Sequence, residues 1–124
     1  MTISGLFDVN LEPQTDEKAP AGRLLISKKY HGDMQGSGSG QMLSKRTEGG
    51  AAAYCAIEEF SGSVAGKHGA FTLIHTGFMD GAAMSLDIKI LAGSGQGELA
   101  NITGSMEIIQ QDGEHQYVLN YALD

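Results

Sequence analysis

Apolar and polar residues alternate with period two over most of this chain. Met84, Leu86, Ile88 and Ile90 are interleaved with Ser85, Asp87, Lys89 and Leu91, and Tyr117, Leu119, Tyr121 and Leu123 with Gln116, Val118, Asn120 and Ala122. Phe7, Val9 and Leu11 form a shorter series of the same kind. Tyr54, Ala56 and Phe60 share a face with Glu58, and Phe71 and Leu73 share one with His75. Such alternation marks half-buried β-strands, and helical spacing is scarce. The pattern predicts about eight strands, near residues 4–12, 23–31, 33–46, 51–63, 69–79, 82–92, 96–110 (bent near Asn101) and 114–123. Short connections favour a meander, and closing eight such strands removes the exposed sheet edges. The expected fold is therefore all-β: one closed antiparallel eight-stranded barrel spanning residues 1–124.

Turn residues set the expected pairing. Asp80-Gly81 and Asp112-Gly113 are two-residue hairpin signals. A turn at Asp80-Gly81 faces Leu73 with Ile88 and Phe71 with Ile90; one at Asp112-Gly113 faces Ile108 with Tyr117 and Met106 with Leu119. A third, placed at Gly66-Lys67, faces Phe60 with Leu73 and Glu58 with His75. All three put one consistent apolar face inward, and a slip of one residue would turn it outward. The register of the second and third strands stays open. The polar stretch from Glu12 to Gly22 holds both prolines and reads as a long surface loop.

Composition sharpens this picture. Glycine accounts for 18 of 124 residues and proline for only 2, which suits turns and close strand crossings and damages helices. Gly36, Gly38 and Gly40 recur with period two, as do Gly93, Gly95 and Gly97. Each trio bares one strand face, which lets a neighbouring strand bend or a bulky side chain lie across it. A phosphate loop is disfavoured, because no Lys-Ser or Lys-Thr and no helix follows.

Net charge is −7, from 15 acidic against 8 basic residues, and Lys45-Arg46 is the densest basic cluster. Nucleic acid and anionic membranes need clustered cations, so neither is an expected partner. No apolar run approaches the ~20 residues of a spanning helix. Met1–Asn10 has neither the basic start nor the apolar core of an export signal, and Cys55 is the single cysteine. The expected compartment is the cytoplasm.

Several segments together resemble a family of small bacterial proteins, domain-of-unknown-function family 3224. They are Gly5-Leu-Phe-Asp-Val9, Tyr30-His-Gly-Asp-Met34, Tyr54-Cys-Ala-Ile-Glu-Glu-Phe60, Gly69-Ala-Phe-Thr-Leu-Ile-His75, Gly93-Ser-Gly-Gln-Gly-Glu-Leu99, Ile102-Thr-Gly104 and His115-Gln-Tyr117. The resemblance implies a barrel similar to that of allene oxide cyclase, and Gly93 to Gly104 looks like the glycine-bracketed bend of that superfamily, which includes dirigent proteins. No activity comes with the family. The cyclase's active-site residues have no matching motif here. Homo-oligomers among the wider relatives make a homo-oligomer the expectation.

The candidate chemistry centres on Glu58 and His75 as cross-strand partners on the apolar face. Burial raises a carboxylate's pKa and lowers an imidazole's, while proximity does the reverse. Such a pair serves either as an acid/base couple or as a buried polar contact that fixes register. Tyr54 and Tyr117, counted from the turns, are expected near the same mouth as the pair, and with Phe60 and Leu86 on the inner face they are the candidate ligand contacts. Cys55 has the opposite parity to His75, which argues against a Cys–His nucleophile pair. His31, His68 and His115 lack ligand spacing, so neither metal nor other cofactor is expected. Three functions compete: a barrel binding a small apolar ligand, an isomerase or cyclase on an apolar substrate, or a packed scaffold acting through Ile57, Ile74 and Val118 on its outer face.

Overall fold

The computed structural model describes residues 1–123, and they form one antiparallel sheet rolled into a barrel. Its strands are β1 (Thr2–Gln14), β2 (Gly22–Gly32), β3 (Met34–Arg46), β4 (Ala52–Val64), β5 (Lys67–Asp80), β6 (Ala83–Ile90), β7 (Gln96–Gly97), β8 (Thr103–Gln111) and β9 (Glu114–Ala122). They hydrogen-bond in the order β4-β3-β2-β1-β9-β8-β6-β5, and β5 returns to β4 to close the ring of eight. The two-residue β7 continues the edge of β5 beyond β6, through Gly69 and Ala70. No helix among the described residues is long and apolar enough to cross a membrane.

Alternation places the expected residues inside. Phe7, Phe60, Phe71, Leu73, Ile88, Met106, Tyr117 and Leu119 are all buried in one core cluster, which Tyr30 joins without having been expected there. Two hairpins differ from expectation by two residues. The β4–β5 turn is Ala65-Gly66, which pairs Phe60 with Phe71 and Ala56 with His75. Both central residues have positive φ, 49° and 85°, the primed geometry whose twist matches that of the strands. The β5–β6 turn is Gly81-Ala82, pairing His75 with Ile88 and Leu73 with Ile90. Gly81, at φ 62°, takes the first central position that one class of hairpin turn reserves for glycine. A two-residue shift preserves parity, so the inner face is unchanged. Asp112-Gly113 forms its turn as expected, with Ile108 opposite Tyr117 and Met106 opposite Leu119.

The strand expected over 96–110 is two pieces. Between β7 and β8 the chain makes successive turns, with Leu99 N–H donating to Gln96 O, Ala100 N–H to Gly97 O and Ile102 N–H to Leu99 O. Gly97 and Asn101, at φ 67° and 75°, interrupt the extended backbone. Breaking the strand drops Leu99 and Ile102 fully into the core, where they plug the barrel end that also holds the β2–β3 and β4–β5 turns. β1 and β2 likewise extend further than expected, shortening the polar loop to residues 15–21.

Ala65 occupies left-handed backbone that costs an L-residue roughly 1–2 kcal/mol. Ala65→Asn, which tolerates that region, is expected to raise stability by about 1 kcal/mol. The urea midpoint measures it, and an unchanged or lower midpoint contradicts this reading of the turn.

Candidate functional site

The centre of the barrel holds a buried ionic cluster. Glu58 on β4 is fully buried. Its Oε1 accepts hydrogen bonds from Lys28 Nζ at 3.0 Å and from His75 Nε2 at 2.9 Å, and its Oε2 accepts the Tyr30 hydroxyl. Lys28 and Tyr30 come from β2, His75 from β5. Since Ala56 is the residue directly opposite His75, the imidazole reaches Glu58 diagonally, a spacing that long side chains span.

Local sequence makes room for this contact. β3 separates β2 from β4, and it carries Gly38 where the carboxylate crosses. A Cβ there would collide with Glu58 Oε2 and crowd the Tyr30 ring. The bare glycine face thus lets side chains of next-but-one strands meet over the strand between them. The Lys28 ammonium also sits over the Phe7 ring, 4.8 Å from its centroid, a favourable cation–π position.

Burial alone would push the Glu58 carboxyl up. The His75 hydrogen bond, the Lys28 charge and the Tyr30 hydroxyl outweigh it and hold the pKa at about 2, against an ordinary 4.5. Burial raises the Tyr30 hydroxyl well above its usual range, reinforced by the adjacent carboxylate. Glu58 is therefore a fixed negative charge and Tyr30 a fixed donor at neutral pH.

Above the cluster, at the end holding the β5–β6 and β8–β9 turns, the barrel opens into a cup of about 620 Å³. Leu11, Leu24, Met42, Tyr54, Met84 and Leu86 are among the residues lining it, with Lys45 and Arg46 at the rim of β3. Tyr54 lies flat across Gly77, whose Cβ would strike the ring, and burial raises its hydroxyl's pKa. On β4 the wall descends to Tyr54; Ala56 and then Glu58 follow inward along the same face.

The candidate residues thus separate into levels. Tyr54 and Leu86 line the cup; Glu58 and His75 lie beneath it. Phe60 stacks at 5.0 Å with Phe71 in the packed half. Tyr117 is fully buried, and its hydroxyl reaches the plugged end, away from the mouth at which counting from the turns placed it. There it receives Met34 N–H at 2.7 Å and donates to His31 O at 2.8 Å, tying β9 to the β2–β3 turn. Burial raises its pKa. Lys28 and Tyr30 were missed by sequence reasoning, although inward parity with Ile26 was the available signal. Cys55 is exposed on the outer wall. Ile57 pairs with Ile74 outside, while Val118, four strands away around the ring of eight, faces the opposite direction. The three do not form one patch.

Fold and cluster define a class: a closed antiparallel barrel, half packed and half open, with an ion pair locked at its waist. The family described as protein of unknown function (DUF3224) matches residues 3–121, and the chain belongs to it. It is also similar to a crystal structure from Shewanella oneidensis MR-1, a protein of unknown function from the same family. That similarity has TM-score 0.93 and 30% identity over 100% of this chain and 97% of the other. No functionally curated protein matches.

Glu58→Gln leaves Lys28 and His75 facing no anion and is expected to cost about 3–5 kcal/mol. Because the folded-state pKa lies below 4.5, ionised Glu58 contributes stability fully above pH 4.5, and this is lost as pH falls towards about 2. The stability difference between wild type and Glu58→Gln should therefore shrink across that window. Urea titrations at several pH values measure it, and a pH-independent difference would remove the assignment.

Proposed function

We propose that the protein binds a small, predominantly apolar molecule in the open half of its barrel. The observation that carries this reading is the cup: about 620 Å³, within the roughly 300–1,000 Å³ of small-molecule sites, walled mainly by apolar side chains on a rigid sheet. Its rim leaves large apolar residues uncovered, with Phe78 63% and Met84 73% exposed. Exposed apolar surface gathered around a concavity is a mark of a binding site.

The cluster beneath supports binding over acid/base catalysis by Glu58. A carboxyl held at about 2 is a poor proton shuttle near neutrality, since general acids and bases work best with a pKa near the operating pH. Three donors already occupy Glu58, and its burial keeps it from a ligand in the cup. It acts in this reading as the rigid floor that keeps the upper cavity open.

A neutral fluorescent probe, N-phenyl-1-naphthylamine, is expected to bind with one-to-one stoichiometry and enhanced emission. Leu24→Trp, filling the cup from β2, should weaken that binding at least about tenfold without loss of folding; a small-molecule site is lost when its volume is lost. Absence of probe binding to the wild type, or undiminished binding to a folded Leu24→Trp, overturns the proposal.

A further inference from the structure

We infer that the ligand is an amphipathic anion, with its apolar body in the cup and its acidic head at Lys45 and Arg46; this rests on the reading of the cup as a binding site. The charge census of the wall carries the inference. The chain has 15 acidic and 8 basic residues, yet the cup is lined by two cations and no carboxylate. A cup sampling the chain's charges at random would be acidic.

Neither cation has an anionic partner among the described residues. Among the described residues, ion pairs take Arg23 to Asp16, Lys28 to Glu58 and Lys89 to Asp87, and none takes Lys45 or Arg46. Lys45 Nζ donates to Pro20 O at 2.9 Å, which holds the ammonium near the loop joining β1 to β2 and spends one of its three hydrogens. Arg46 ends β3 directly beside the rim, opposite Ala52, and its planar fork matches a carboxylate.

The remaining polar lining is neutral: Ser44, Ser85, Gln110 and the Tyr54 hydroxyl. Lower down, Lys28 and Glu58 cancel each other's charge. Among the lining residues the uncompensated charge is therefore at the mouth, and it is positive. An anionic head pointing outward meets Lys45 and Arg46 and stays hydrated, while the apolar body displaces water from leucine and methionine side chains. A cationic head is repelled, and a neutral one gains nothing from the rim.

Displacement of N-phenyl-1-naphthylamine by decanoate and by decanol at pH 8 and low ionic strength tests this. Two cations near one carboxylate should make decanoate at least about fivefold more effective than decanol, and about 1 M salt should erase most of the preference. Lys45→Gln/Arg46→Gln should bring the ratio close to one, through loss of decanoate's advantage. Equal displacement by the two compounds on the wild type, or a preference that survives in the double variant, overturns the inference. If the neutral probe fails to bind at all, the cup itself is not a binding site; if probe and decanol bind but decanoate gains nothing, only the anionic class is wrong.

Discussion

One fully buried carboxylate organises this barrel. Moving an ionised Glu58 out of water costs several kcal/mol unless partners replace the lost hydration. Three do, from two strands, across a glycine on a third. The cost of misplacing any of them makes the cluster a specifier of register, as other buried polar groups are. A two-residue slip of β4 against β3 would keep inward-facing residues inward, yet it would carry Glu58 away from Lys28, Tyr30 and Gly38. Apolar burial sets which face is inward; the ionic cluster distinguishes the correct register from others of equal parity.

The same distinction explains what could be read from the residues. Parity is local, so the inner face of nearly every strand was legible, including the placement of Glu58 and His75 together. Register depends on turn type, and two turns were misjudged by one residue each. Gly66-Lys67 reads as the turn in sequence while Ala65 bends in the structure, because an alanine at positive φ is a poor turn signal. Asp80-Gly81 reads as a pair in sequence, yet glycine alone suffices at the first central position. The diagonal reach of His75 then gave the expected contact by a different geometry.

Lys28 and Tyr30 illustrate a second limit. Ser27-Lys-Lys-Tyr-His31 reads as a solvated strand, and although parity with Ile26 turns Lys28 inward, nothing local says what meets its ammonium there. The answer lies in Gly38 on the strand next to that of Glu58, a non-local coincidence visible only once β2, β3 and β4 are in register. Tyr117 shows the opposite error. Its distance from the Asp112-Gly113 turn suggested the mouth, but its ring extends towards the β2–β3 turn, where its hydroxyl satisfies two backbone groups of a tight connection. A long side chain in a narrow barrel is poorly placed by its Cα alone.

Cluster and plug together divide the interior into unequal halves. Below the waist, aromatic rings and the inserted Leu99 and Ile102 form one buried core cluster, as an eight-stranded barrel permits. Above it the strands continue past the last packed layer, and the walls change to residues that face each other across open volume. The floor matters for what the cup can accept. An unpaired Lys28 would draw an anion to the bottom, and an unpaired Glu58 would draw a cation. Paired, they offset each other, so in the proposed binding the charge that would meet a ligand is left to the two rim cations, which pair with no carboxylate among the described residues. The barrel thereby separates its two electrostatic tasks by depth, with structural charges cancelled in the interior and uncompensated ones kept at the water boundary.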